Sequence, residues 1–255
     1  MALIKKDFVS AHTYNSLPTI KEAANVPREY AEDLGYLQRL LAKHDVPASV
    51  GIRLIHRHYE IAEGEAMVFR NIELPAHGTV EVMRATPIEA AQLYGKNFFV
   101  GFAARLQAYE YTSETTVDLS EYKTFIAEFV EIVVRRKLQH KFGLKINHRS
   151  EAEVKTDRKE FEFPEEKCTI TMPITFPLPE ATHKIEIDTD WGALDNNNKR
   201  QRGKTKTQST RTKCSHGDED WGEECTQEDG IMFDGRVVQL GTPFHGLLNN
   251  LMEVW

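Results

Sequence analysis

A chain of 255 residues with 40% hydrophobic content is long enough to build one sizeable core without disulfide support. Its net charge of -7 and pI near 5.8 exclude a surface that wraps nucleic acid or anionic lipid throughout. The apolar runs fall short of the ~20 residues of a membrane helix, and Cys168, Cys214 and Cys225 are too few for a secreted disulfide scaffold. Together with the lack of an apolar leader in the first residues, this predicts a cytoplasmic protein, with the nucleus as alternative. Small molecules are the expected partners and nucleic acid is not; the oligomeric state is not written in the sequence.

The first eighteen residues have no clear period. Pro18-Thr19 then offers a helix start for a region running to about residue 43, which Pro27 splits. In its second half Tyr30, Leu34, Leu37, Leu40 and Leu41 share one stripe, as in a helix laid over a sheet. Four strand-like runs follow at roughly 49–59, 66–74, 78–84 and 97–111, with a short helix between the last two that Gly95 would cap. A long amphipathic helix is predicted over about 120–142, with Gly143 just beyond its end. The cations Arg135, Arg136, Lys137, His140 and Lys141 near that end suit the helix macrodipole.

Beyond Gly143 the chain is charged, with strands expected at 144–146, 168–172 and 183–187. From 192 to 230 the pattern dissolves into a flexible charged loop. Its first part, 199–213, is basic, and Asp218 to Asp229 is acidic. Apolar character returns at 236–240 and 247–255. Segregated helices and strands predict one α+β domain over 1–255, a curved, mainly antiparallel sheet packed by the long helix and the N-terminal helical segment.

The residues that could carry chemistry centre on His56 and His58. Strand alternation would put both imidazoles on the face that also carries Val50, Ile52 and Leu54. Buried there, they must be hydrogen-bonded, uncharged or bound to a metal. Glu65 could fold back as a third ligand, giving a divalent metal site, zinc above all, that activates water. The same pair could serve as a metal-free general base. Tyr109, Glu110 and Tyr111 are expected neighbours of that pocket. A second candidate is a structural zinc site at Cys214, His216 and Cys225, which would make the protein a non-catalytic interaction module using the 199–213 loop.

Two resemblances bear on this pair. His56-Arg57-His58 with Glu65, and His245 followed four positions on by Asn249, superficially resemble the cupin ligand pattern. Cupins keep the histidine–glutamate gap shorter and the two halves close together. Leu54-Ile55-His56-Arg57-His58-Tyr59 with Gly64-Glu65 is similar to a Leu-Leu-His-x-His-Phe segment with a following Gly-Glu in proteins of filamentous fungi. That resemblance implies a shared fold and brings no activity with it.

Overall fold

The computed structural model describes residues 7–74, 78–88, 92–115, 117–147, 158–163, 167–173, 187–194, 204–209, 231–233, 236–238, 245–246 and 248. The chain opens with four helices, α1 (Ala11–Asn15), α2 (Ile20–Ala23), α3 (Val26–Glu29) and α4 (Ala31–Lys43). Thr19 and Glu22 form a capping box on α2, and Pro27 sits in the first turn of α3, where its missing N–H costs nothing. On α4 the predicted stripe is real, with Leu34, Leu37, Leu40 and Leu41 buried.

Next come β1 (Val50–Leu54), β2 (Glu65–Leu74), β3 (Gly78–Pro87), β4 (Tyr94–Val100) and β5 (Leu106–Thr112). A 3-10 turn, Leu119–Tyr122, leads into α5 (Lys123–Arg135), and then β6 (Phe142–Ile146), β7 (Arg158–Phe163), β8 (Cys168–Pro173), β9 (Ile187–Trp191) and β10 (Lys204–Ser209). These ten strands close into a barrel in the order β1-β6-β4-β5-β2-β3-β8-β7-β10-β9, the ring being completed by β9 on β1. A separate antiparallel pair joins β11 (Ile231–Phe233) to β12 (Arg236–Val238). No helix among the described residues is long and apolar enough to cross a membrane.

The α+β reading therefore stands in its coarse form, and several details change. The sheet is mixed, because β2 pairs β5 and β7 pairs β10 in parallel. The expected long helix is only the thirteen residues of α5: Lys137 takes φ 56°, and the chain then turns into β6. Gly143 lies inside that strand, not beyond a helix. Run 97–111 is two strands joined by a turn, and Pro87 and Gly95 belong to strands instead of flanking a helix. Residues 204–209 within the predicted 192–230 loop form a barrel strand; the rest of the basic run, and Cys214, His216 and Cys225, lie outside the described residues.

Alternation along the strands gives the barrel two faces with opposite chemistry. Outward, Val50, Ile52, Leu54, Phe142, Leu144 and Trp191 join Leu34, Leu37, Leu41, Phe125, Phe129 and Val133 of the two longer helices in one apolar cluster. Inside one end of the barrel, Met67, Phe69, Met83, Phe99 and Tyr109 pack beneath Val9, Tyr14 and Leu17 of the N-terminal segment. The remaining interior is polar and charged. Both faces of β1 and β6 are consequently buried at every position.

β6 is squeezed between β1 and β4, and Gly143 is where the squeeze is tightest. A Cβ there would overlap the Phe98 carbonyl of β4. Gly143→Ala is expected to cost about 2–3 kcal/mol through forced separation of β4 from β6, read as a lower midpoint in urea unfolding. A variant with unchanged stability would show that the strands are not so closely apposed.

Candidate functional site

The regular strand β1 ends at Leu54, before the histidines. From Ile55 the chain crosses the barrel end, held by Ile55 N–H to the Lys141 carbonyl at 3.0 Å and Arg57 N–H to the Pro18 carbonyl at 2.8 Å. His56 and His58 thus do not share the face of Val50, Ile52 and Leu54. They turn into the polar interior beside Arg53, with ring centroids 4.7 Å apart. Both side chains are wholly buried, at 0% exposure.

Each imidazole is held by its Nδ1. That of His56 donates to the Leu54 carbonyl at 2.9 Å, and that of His58 donates to Glu162 Oε1 at 2.9 Å. Both Nε2 atoms are left facing Glu160, whose Oε1 is 4.0 Å from His56 and 3.9 Å from His58. Glu110 Oε1 stands 3.7 Å from His58 Nε2. Arg53 Nη2 approaches both Nε2 atoms, at 3.4 and 3.5 Å, and lies 3.8 Å from Glu160 Oε2. Its Nη1 donates to Thr189 Oγ1 at 3.2 Å.

The barrel wall supplies these groups through its register. Arg53 pairs with Gly143 on one side and Asp190 on the other, and Asp190 takes the ammonium of Lys145 at 2.6 Å. The shift between Thr205 and Lys206 leaves Thr189 as an extra residue on β9, and its hydroxyl accepts from Arg53. A similar shift on β5 leaves Tyr109 between paired Ala108 and Glu110. Asn97 donates to Glu110, as does the Tyr14 hydroxyl of α1 at 3.4 Å. On β7, Glu160 and Glu162 point inward with Arg158, because all three pair with inward positions of β8.

Burial and charge drive the two imidazoles apart. Burial, reinforced by Arg53, holds His56 well below the ordinary histidine value, so it is neutral. Burial acts the same way on His58, but Glu160, the Glu162 hydrogen bond and Glu110 outweigh it and raise that imidazole. Glu160 is opposed by burial too, yet Arg53, His58 and His56 keep it ionised, far below the usual carboxylate range. Burial and Glu110 keep Tyr109 a neutral phenol.

Of the residues singled out by sequence, His56, His58, Tyr109 and Glu110 meet in this hollow. Glu65 does not: its carboxylate accepts the Ala62 amide at 2.8 Å, and Glu160 takes the place proposed for it. Tyr111 faces the other side of β5, where its hydroxyl donates to the Ala108 carbonyl and its ring packs on Phe8. His245 is buried in a helical turn, whereas Asn249 lies outside the described residues. Glu160, Glu162 and Arg53 were missed. The alternation Lys159-Glu160-Phe161-Glu162-Phe163 was the signal for the two glutamates.

His56, His58 and Glu160 form a buried group that could hold a metal ion, with one donor atom from each all within 4.8 Å of one another. A tetrahedral ion with bonds of ~2.1 Å needs donors ~3.4 Å apart, so the Glu160–histidine separations of 4.0 and 3.9 Å would close by about half an ångström and the widest pair by up to about 1.4 Å. No protein-family model, curated protein or solved structure matches the chain.

Proposed function

We propose that the protein is a metal-dependent enzyme acting on a small molecule. Its centre is a divalent cation held by Nε2 of His56, Nε2 of His58 and the carboxylate of Glu160. One observation carries this reading: both Nδ1–H groups are committed, one to a backbone carbonyl and one to a carboxylate. That is the outer arrangement that fixes the tautomer and aims the Nε2 lone pair of a ligating histidine. Charge agrees, since one guanidinium and three carboxylates surround the two imidazoles, and a divalent ion taking the place of the His58 proton balances the surplus. Two histidines and a carboxylate leave positions open for water or substrate, a donor set suited to zinc or ferrous iron. With such an ion bound, Glu110, whose Oε1 stands 3.7 Å from His58 Nε2, would be the carboxylate nearest its open positions and could accept a proton there.

A second reading follows from Arg53, whose guanidinium stands where it would repel that ion. Without metal, cationic His58 serves as general acid and neutral His56 as general base on the same small molecule. Elemental analysis of untagged protein separates the two. The metal reading expects about one ion per chain, lost in His56→Ala and His58→Ala. A folded wild type that stays metal-free after incubation with zinc or ferrous iron overturns it and leaves the acid–base pair. Loss only in Cys214→Ser/Cys225→Ser would instead place the ion in the C-terminal part, as the interaction-module alternative requires.

A further inference from the structure

Outside the barrel end, directly over the strap that carries the histidines, lies a cleft of about 910 Å³. Its volume is in the range of pockets that take small organic ligands. Its walls come from four places: the α1–α3 segment, the strap at Arg57, the β4–β5 turn with its flanking strand ends, and the chain entering β6. Their chemistry is uneven. Arg57 and Lys141 are the full charges set against Glu22, the one carboxylate of the lining, with the imidazoles of His12 and His140 beside them; the Lys141 ammonium lies over the Tyr30 ring at 4.7 Å. That carboxylate is occupied by the amide and hydroxyl of Thr19, at 2.7 and 2.9 Å.

Arg57 is the organised cation among them. Its Nε donates to the Leu17 carbonyl at 3.2 Å, which fixes the guanidinium plane. The nearest carboxylate to its Nη2 is Glu60 at 3.7 Å, beyond hydrogen-bond reach, on a side chain 73% exposed. A fixed guanidinium fork with donors to spare matches the oxygens of a carboxylate or phosphate. The cleft also offers rings. Phe102, at the tip of the β4–β5 turn, is fully exposed, and its ring stands 6.3 Å from that of His140. Phe99 forms part of the lining and packs behind on Tyr109 at 5.9 Å. A single exposed ring is ordinary on a protein surface; here it stands at the rim of a concave hollow whose lining includes Arg57, so ring and guanidinium can be reached by one ligand.

We infer that this cleft binds a small molecule that carries an oxyanion and a flat ring, the oxyanion on Arg57 and the ring between Phe102 and the cleft floor. Arg57 is the residue between His56 and His58, so a ligand clasped there sits on the same short strap as the barrel centre. The inference does not depend on a metal being present. It is read by binding alone.

Calorimetric titration of the full chain with 2-naphthoate tests it, with naphthyl phosphate as the second oxyanion. 2-Naphthalenemethanol serves as the neutral control and cyclohexanecarboxylate as the ringless one. Saturable one-to-one binding of at least one aromatic anion is expected, weaker by about tenfold or more for both controls. Preference between naphthoate and naphthyl phosphate tells which oxyanion the fork prefers. Phe102→Ser, on a fully exposed side chain, and Arg57→Gln should each weaken binding about tenfold while circular dichroism stays unchanged. Absence of saturable binding of either anion overturns the inference, as does equal affinity for the neutral control or for both variants.

Discussion

Glu160→Gln is expected to abolish binding of the ion proposed at the barrel centre and to destabilise the metal-free chain by about 3–5 kcal/mol, the cost of removing one partner from a buried ion pair. The substitution keeps shape and takes away only charge. Arg53, fully buried at 0% exposure, would then face an amide where it had a carboxylate at 3.8 Å. Nor can Arg53 escape by losing its proton, since a guanidinium stays charged at any accessible pH. Urea unfolding in the presence of a chelator reads the stability, and elemental analysis reads the ion. Glu65→Gln is the contrast. Its carboxylate accepts one backbone amide, so that variant should bind the proposed ion as wild type does and lose only about 1 kcal/mol. If Glu160→Gln cost no more than Glu65→Gln, the interior network would be far wetter than its burial implies.

The stability of the chelated protein should pass through a maximum near pH 6.5, with the two histidines shaping opposite limbs. His58 has a folded-state pKa above the unfolded value. Its contribution is complete below the unfolded pKa and is lost as pH climbs through the folded one, which gives the falling limb on the alkaline side. His56 is depressed. Below about pH 6.5 the unfolded chain takes up a proton there that the folded chain refuses, so stability falls as acidity grows. Glu160 adds a further loss at lower pH, because its folded pKa lies below the usual carboxylate value and its contribution disappears as pH falls through it. Unfolding free energies across pH 5–9 should show the maximum. His58→Gln should flatten the alkaline limb and His56→Gln the acid limb near neutrality. The reverse assignment would mean that the two proton states have been exchanged.

What the sequence disclosed and what it hid follow from how interior chemistry is distributed. Strands β2, β3 and β8 carry enough apolar residues on at least one face to be read by alternation. The stripe on α4 was legible because one side of that helix meets the outer barrel wall and the other meets water. β7 escaped because its inward residues are Arg158, Glu160 and Glu162, so alternation between charge and phenylalanine looks like an exposed strand or a charged loop. The histidine pair was found for a partly mistaken reason. Residue types and spacing were sound, but the strand register breaks at Leu54, and Arg53, not Ile52 or Leu54, shares their side of the wall. Glu65 suggests itself as third ligand because it is near in sequence, and Glu160 does not, because barrel closure brings β7 against the strap from about a hundred residues away. Closure itself left no local mark. It depends on β10, whose Lys204–Ser209 reads as part of a basic, patternless run.

The order in which the ring is completed has a consequence for how the chain matures. β1 forms near the start of synthesis, yet one of its two neighbours is β9, and β7 must wait for β10. Until the ribosome has delivered residues beyond 200, the nascent sheet has unpaired rims on both sides, and the charged lining lies open to solvent. Unpaired rims recruit other chains, and pairings so distant along the polymer close slowly. The closing piece, Lys204–Ser209, is lysine, threonine, glutamine and serine throughout, so its arrival adds no apolar residue to the rims it has to join.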